Sequence, residues 1–187
     1  MSAEAIAPLD MALDRMRELA SIGAGHAATA LAQLVRRTIH MDVPSVDIAG
    51  AVPAAARGVS GGSAICFGLE GGFVGNTAVV FSRTSLEVLV SEVMGADAYG
   101  GDTAVESAVR EAGNILVSHY ASAIADTLHA CVLPTVPLLT EPEDLGAWVD
   151  DVGGATAVVV ASSLYDDERE LEGYLVLVPG DASLRYP

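Results

Sequence analysis

The sequence predicts an α/β fold that consists of two similar halves, each with one long helix followed by β-strands. Three observations support this prediction. A set of polar residues recurs after 93 positions, apolar residues recur every three or four positions in two long stretches, and strand-length apolar segments flank short turns. The chain of 187 residues is long enough to bury a sizeable core in one domain.

The charge of the chain restricts its partners. Asp and Glu number 25 against nine Arg and no Lys, so the formal net charge is −16 at pH 7. Nucleic acids and anionic membrane surfaces would repel such a chain, so we exclude them as main partners. No apolar run approaches the roughly 18 residues of a membrane span, and no basic segment leads an apolar one at the start. We therefore expect a soluble cytoplasmic protein without membrane insertion.

The same composition leaves two explanations open. An acidic chain without Lys and with 5% aromatic residues resembles halophilic-type proteins, in which surface carboxylates keep the chain hydrated at high salt. A GC-rich genome that encodes an ordinary acidic protein would produce the same bias. The two cysteines, Cys66 and Cys131, lack metal-site spacing and lie in apolar segments, so we expect two buried free thiols.

An internal repeat organises the chain. A shift of 93 residues places one polar triad on another, and the same shift places Val43-Pro44 on Val136-Pro137. The triads are Asp14-x3-Glu18-x2-Ser21 and Ser107-x3-Glu111-x2-Asn114. We therefore expect a single domain over residues 1–187, built by internal duplication from repeats at about 10–95 and 103–180.

Each repeat begins with a long helix. In the first repeat, apolar residues follow the helical period to Val35, and Asp10 is a candidate N-cap. Gly23 and Gly25 lie inside this helix, where each costs about 1 kcal/mol relative to Ala. Either another helix packs closely against these glycines, or the helix breaks there. The helix of the second repeat runs to about Leu128.

Capping boxes predict where two helices begin, because Ser or Thr at the cap and Glu three residues later satisfy free N–H groups. The boxes are Thr84-x-x-Glu87, for a short helix to about Met94, and Thr103-x-x-Glu106, for the second long helix. A linker over 95–102 is expected between these helices.

Strands are expected in the rest of the chain. The predicted strands are Met41–Ile48, Ser63–Leu69, Phe73–Phe81, Leu133–Leu139, Ala155–Leu164 and Leu171–Val178. The second and third form one hairpin, and the last two form another. Residues 141–172 contain ten acidic residues and one Arg, which we interpret as a solvated loop and hairpin face.

The two triads lie on helical stripes. Residues at i, i+4 and i+7 of an α-helix fall within about 60° of one another around its axis, so each triad shares one face. Polar residues on an otherwise apolar helix indicate a face toward solvent or a partner. Glu111 and Asn114 on such a face can hold a water molecule or a partner's cation, although an ordinary solvated face has the same pattern. No base stands beside a Ser or Cys at a spacing that indicates a nucleophile.

The residues from Glu18 to Leu31, followed by Val43-Pro44, resemble the first signature of the CheC phosphatases. The second triad with Pro137 matches the fuller signature of that family, (Asp or Ser)-x3-Glu-x2-Asn-x22-Pro, at every defined position. The resemblance covers about residues 10–180. It implies an α/β (α+β) two-layer sandwich with pseudo-twofold symmetry, in which two long helices pack on an antiparallel sheet.

The resemblance also implies an activity, the hydrolysis of the aspartyl phosphate on the chemotaxis response regulator CheY. Asn114 would orient the attacking water, and Glu111 would pair with the regulator's lysine. The regulator would supply Mg²⁺, so no cofactor or metal of the chain's own is implied. Glu18 and Ser21 form a degenerate, weak site, because Ser21 replaces the family's Asn. The expected supporting residues are Asp14, Pro44, Ser107 and Pro137.

Other functions remain open at this point. A non-catalytic adaptor of the same family would bind CheD or the flagellar motor switch, and CheD is an expected partner of the phosphatase as well. A metal enzyme is disfavoured because His26 and His119 have no ligand spacing with His40 or His129. We expect His26 and His119 at an interface or in the core.

Overall fold

The computed structural model describes residues 3–48, 59, 61–94, 102–154 and 157–184. Within these ranges the chain forms five α-helices, one 3-10 helix (Pro142–Asp144) and eight strands. The helices are α1 (Ala3–Val35), α2 (Arg83–Met94), α3 (Asp102–Leu128), α4 (Leu145–Gly153) and α5 (Asp181–Leu184). The strands are β1 (Ile39–Met41), β2 (Ser45–Ile48), β3 (Gly62–Gly71), β4 (Gly75–Ser82), β5 (Val132–Pro134), β6 (Leu138–Thr140), β7 (Val158–Asp166) and β8 (Glu172–Pro179).

The described strands form one antiparallel sheet in the order β1-β7-β8-β4-β3-β5, with β2 also paired to β7 and β6 also paired to β3. The predicted hairpins are present as β3–β4 and β7–β8. The short strands pair across the halves, because β1 and β2 join β7 whereas β5 and β6 join β3. The strands of the two halves correspond as β1 to β5, β2 to β6, β3 to β7 and β4 to β8. Exchanging each strand for its counterpart gives the same order, read from the opposite edge of the sheet. The duplication itself stays a prediction.

The two long helices pack side by side on one face of the sheet, over the larger hydrophobic core. Gly23 of α1 lies directly against Tyr120 of α3, because a Cβ atom at Gly23 would be 2.7 Å from the ring carbons Cδ2 and Cε2. Gly113 of α3 is equally close to the sheet, since its Cβ would be 2.9 Å from Cγ2 of Ile65. The expected close approach of a second helix is confirmed at Gly23, whereas Gly25 faces only the sulfur of Met41, at 3.9 Å.

The opposite face of the sheet is also buried. A smaller core of alternate strand residues lies under α4, with Leu145 and Val149 pointing into it. The interpretation of residues 141–172 as a loop and a hairpin face missed α4, because it weighed the acidic residues of this segment above the helical spacing of Leu145, Trp148, Val149 and Val152. Cys66 is buried on this face, as expected, but Cys131 is exposed. Burial raises the pKa of the Cys66 thiol to about 12.

Each β-segment that follows a long helix is two short strands rather than one. The segment expected over Met41–Ile48 is interrupted between β1 and β2, where Pro44 is buried. The segment expected over Leu133–Leu139 is interrupted in the same way between β5 and β6, at residues 135–137. Proline has no N–H for the sheet ladder, which explains the interruption at both places.

The predicted helix starts need correction. The first helix begins at Ala3, so Asp10 is an interior residue and not the N-cap. The second long helix begins at Asp102, and the carboxylate of Glu106 accepts hydrogen bonds from Arg110 instead of closing a capping box with Thr103. An i,i+4 ion pair of this kind competes with the reciprocal cap for the same Glu.

The short helix α2 also begins one residue before the predicted capping box. Its cap is Ser82, whose Oγ accepts a hydrogen bond from the backbone N–H of Ser85 at 3.2 Å. The box predicted at Thr84 and Glu87 therefore lies inside the helix. Its end at Met94 is as predicted, and residues 95–101 of the expected linker lie outside the described residues.

Candidate functional site

The second triad lies on the outward side of α3. Because successive residues turn about 100° around a helix, Asn114 and Glu111 lie about 100° and 160° from Gly113, which faces the sheet. Ser107 and Glu111 are exposed, and Asn114 is half-buried. The Ser107 hydroxyl donates to the carbonyl of Thr103 at 2.9 Å, so it is used within the helix.

The packing of α3 fixes the direction of this stripe. The buried side of the helix includes Val109, Leu116 and Tyr120, each no more than 2% exposed. These residues contact the sheet and α1, so the helix cannot rotate about its axis without exposing them. The triad is therefore presented on a helix with a fixed orientation.

Glu111 and Asn114 have no hydrogen-bond or ion-pair partner within the described part of the chain. A carboxylate and an amide one turn apart, both unpaired, can accept and donate hydrogen bonds to a molecule that docks on the helix. An Asn side chain supplies both an acceptor and two donors without carrying charge. The pair can therefore hold a water molecule and a cation, whereas the neighbouring Ser107 hydroxyl already donates to the carbonyl of Thr103.

The first triad has the same placement on α1. Asp14 and Glu18 are exposed, and Ser21 is half-buried. Asp14 forms an ion pair with Arg17 on the same helix. Ser21 lies two residues before Gly23, so the first triad is close to the contact between α1 and α3. The structure thus places the two triads on neighbouring, closely packed helices.

Arg110 is a residue that the sequence analysis missed. Its guanidinium donates two hydrogen bonds to the carboxylate of Glu106, from Nη2 at 2.8 Å and from Nε at 3.1 Å, and these bonds orient it. Its Nη1 donates to the carbonyl oxygen of Pro137 at 3.1 Å, so it joins α3 to the loop between β5 and β6. Pro137 therefore contacts the helix one residue before Glu111. The only sequence signal was an Arg four residues after a Glu.

Charged residues elsewhere have structural roles. Arg37, after the end of α1, donates to Asp166 at 2.7 Å and to Glu170 at 3.0 Å in the β7–β8 hairpin. Burial by itself raises the pKa of Asp166, but hydrogen bonds from Arg37 and from the Leu171 N–H outweigh it and lower that pKa. The hydrogen bonds of Arg37 to Asp166 and Glu170 raise the pKa of its guanidinium. This cluster ties α1 to the sheet.

His26 and His119 are both exposed, so neither belongs to the core. Across the described ranges, no group of three or more His, Cys, Asp or Glu side chains is arranged to hold a metal ion. Within the same ranges, none of the helices combines the length and the apolar character needed to span a membrane.

Comparison with known proteins identifies relatives of the chain. The model of the CheC-like family matches residues 11–48 and 105–140, which contain both triads and both Val-Pro pairs. The CheY-P phosphatase CheC of Bacillus subtilis (strain 168) is 30% identical over 191 aligned positions, which cover 89% of this chain and 87% of that protein.

Two solved structures share the fold. Thermotoga maritima FliY has a TM-score of 0.66 at 19% identity, and the match covers 99% of this chain and 94% of that chain. The CheX–CheY–BeF3–Mg²⁺ complex of Borrelia burgdorferi has a TM-score of 0.61 at 16% identity, and the match covers 86% of this chain and 97% of that chain. At these identities the likeness concerns the fold.

Proposed function

The chain belongs to the CheC-like family, and on this premise we propose that it hydrolyses the aspartyl phosphate of a CheY-type response regulator. The observation behind the proposal is that Glu111 and Asn114 lie on the outward side of α3, inside the region that the family model matches, and have no partner among the residues that the structure describes. The Bacillus subtilis relative, named as a CheY-P phosphatase, supports the reaction type.

The chemistry requires little beyond a positioned water. An acyl phosphate is already reactive, so the protein has to hold a water molecule in line with the phosphorus atom. The amide of Asn114 can orient that water without repelling the phosphoryl oxygens, because it is neutral. Water supplies the attacking oxygen, the phosphorus–oxygen bond to the aspartyl group breaks, and inorganic phosphate leaves.

Glu111 has a different role in this proposal. A carboxylate beside a phosphoryl group is repelled unless a cation lies between them, so Glu111 would pair with a lysine of the regulator. That ion pair would set the register between the two proteins. The regulator also brings the Mg²⁺ that neutralises charge on its own phosphoryl group, as part of the substrate.

Phosphate release from a phosphorylated regulator of the same cell tests the proposal. We expect the wild-type protein to accelerate release above the regulator's own rate, and Asn114→Ala to lower the acceleration about 100-fold. Ser21→Ala is the matched control, with a loss below about twofold, because its shorter, freely rotating hydroxyl fixes a water less firmly. Equal losses from both variants would contradict the assignment of the main site to α3.

A second candidate function is a non-catalytic adaptor that binds CheD or the motor switch. Ser21 favours an adaptor role for the first triad, because the second triad has Asn114 at that position. The glutamate, Glu18 in the first triad, is then the one residue type that the two triads share. The same assay separates the two functions. An adaptor would bind its partner but leave phosphate release at the rate of the regulator alone.

A further inference from the structure

The most exposed large apolar side chains of the described residues occupy corresponding positions in the two halves. Val136 is 88% exposed and Val43 is 83% exposed, and each precedes the proline of its Val-Pro pair. Single exposed apolar residues are common on protein surfaces. Val136 is distinguished from Val43 because its loop is bonded, through Pro137, to the helix that carries Glu111 and Asn114.

The loop that carries Val136 is anchored on both sides of it. On one side, Thr135 exchanges hydrogen bonds with Gly68 of β3, in which the Gly68 N–H donates to Oγ1 at 2.8 Å and the Thr135 N–H donates to the Gly68 carbonyl at 2.9 Å. On the other side, Pro137 accepts the hydrogen bond from Arg110. Val136 is therefore held in solvent by its neighbours and cannot turn inward without breaking these bonds.

Arg110 places this loop beside the polar stripe of Ser107, Glu111 and Asn114 on α3. Arg110 and Asn114 are four residues apart, so they lie about 40° from each other around the axis of α3, with Cβ atoms about 5–6 Å apart. The loop that Arg110 holds therefore flanks Asn114 on one side of the helix. Arg17 has the position of Arg110 in the first half, and it forms an ion pair with Asp14 on its own helix.

We propose that Val136 is a docking contact for the phosphorylated receiver domain of the regulator, which presents its aspartyl phosphate to Asn114. Arg110 is the residue that positions the loop carrying Val136. This inference rests on the proposed function. Because Arg110 holds the loop beside Asn114, a protein that brings its phosphoryl group to Asn114 would also cover Val136, which favours the receiver domain over a second copy of this chain as the occupant. A small apolar contact beside polar groups suits a transient encounter with a substrate protein.

Steady-state kinetics with Val136→Asp test the proposal. We expect KM for the phosphorylated regulator to rise about tenfold with kcat changed by less than about twofold, because a charged side chain removes the apolar contact and leaves Asn114 in place. Arg110→Ala should also raise KM, since it releases the loop. Val43→Asp is the matched control in the other half and should leave KM within about twofold of the wild type. An equal rise in both valine variants, or no rise in Val136→Asp, would overturn the proposal.

Binding to the regulator loaded with beryllofluoride and Mg²⁺ separates this inference from the proposed activity. Weaker binding by Val136→Asp without any phosphate release by the wild type would refute the activity but support the docking contact. Normal release with unchanged binding by Val136→Asp would refute the contact alone. If the variant instead changes the oligomeric state in size-exclusion chromatography, the occupant is a second copy and the proposal is wrong.

Discussion

The contact between Gly23 and Tyr120 allows a quantitative test of how the two long helices are held together. Tyr120 is 1% exposed, and a methyl group at Gly23 would lie 2.7 Å from two of its ring carbons. Carbon atoms prefer about 3.5–4.0 Å, so Gly23→Ala forces the helices or the ring apart by several tenths of an ångström. The ring belongs to the larger core, so any movement of it disturbs the packing of other buried residues.

The magnitude follows from two opposing effects. Gly→Ala inside a helix stabilises it by about 1 kcal/mol. Forcing a methyl group into a packed core costs about 1–3 kcal/mol and occasionally more. We expect Gly23→Ala to lower the free energy of unfolding by about 1–2 kcal/mol, because an overlap this severe lies at the upper end of that range. In a chain of this length the loss lowers Tm by about 2–8 °C.

Gly25→Ala provides a control two residues away on the same helix. Its Cβ would meet only the sulfur of Met41, at 3.9 Å, which is ordinary van der Waals contact. The helix propensity then acts unopposed, and we expect Tm to rise by about 2–4 °C. Urea denaturation and thermal melting, each followed by circular dichroism, measure the free energy of unfolding and Tm of both variants. If Gly23→Ala raised stability as Gly25→Ala does, the close helix contact deduced from the structure would be incorrect.

Two further predictions concern charge and thiol chemistry. The lowered pKa of Asp166 means that its ionised form stabilises the folded chain at neutral pH, and this stabilisation is lost as pH falls through the folded-state pKa. Asp166→Asn should therefore lower stability at pH 7 by about 3 kcal/mol, as the loss of one partner of a buried ion pair does, and flatten the decline in stability at acidic pH, in urea titrations at each pH. Because Cys131 is exposed and Cys66 is buried with a raised pKa, a thiol reagent at pH 8 should label Cys131 rapidly and Cys66 only after unfolding, as intact-protein mass spectrometry would show. Rapid labelling of Cys66 would mean that the smaller core opens readily.

Sequence periodicity was sufficient for the elements that form the larger core. Both long helices and both hairpins were predicted because their apolar residues repeat with the period of their structure. The outward side of Glu111 and Asn114 could be predicted for the same reason, since a polar stripe on an amphipathic helix faces away from the core. The roles of these residues stay predictions until phosphate release is measured.

The errors had both local and long-range causes. The predicted cap of α3 failed because Glu106 binds Arg110, and the importance of Arg110 depends on Pro137, which lies 27 residues later. The helix α4 was missed although its apolar residues, Leu145, Trp148, Val149 and Val152, follow the helical spacing, because the acidic residues around them favoured a solvated loop. That α4 buries the second face of the sheet is a long-range contact. The exposure of Cys131 likewise depends on where the chain after α3 meets the sheet edge.

The exchange of short strands between the halves makes them mutually dependent. A polypeptide that stopped after α2 would have β3 without the neighbours that β5 and β6 supply, and a polypeptide that started at α3 would leave β7 uncovered on the side of β1. Either fragment would present an open strand edge and could complete itself only by pairing with a second molecule. Separating the halves would therefore deprive β5 and β6, which flank the loop beside Asn114, of their partner β3, unless a second molecule supplied that strand.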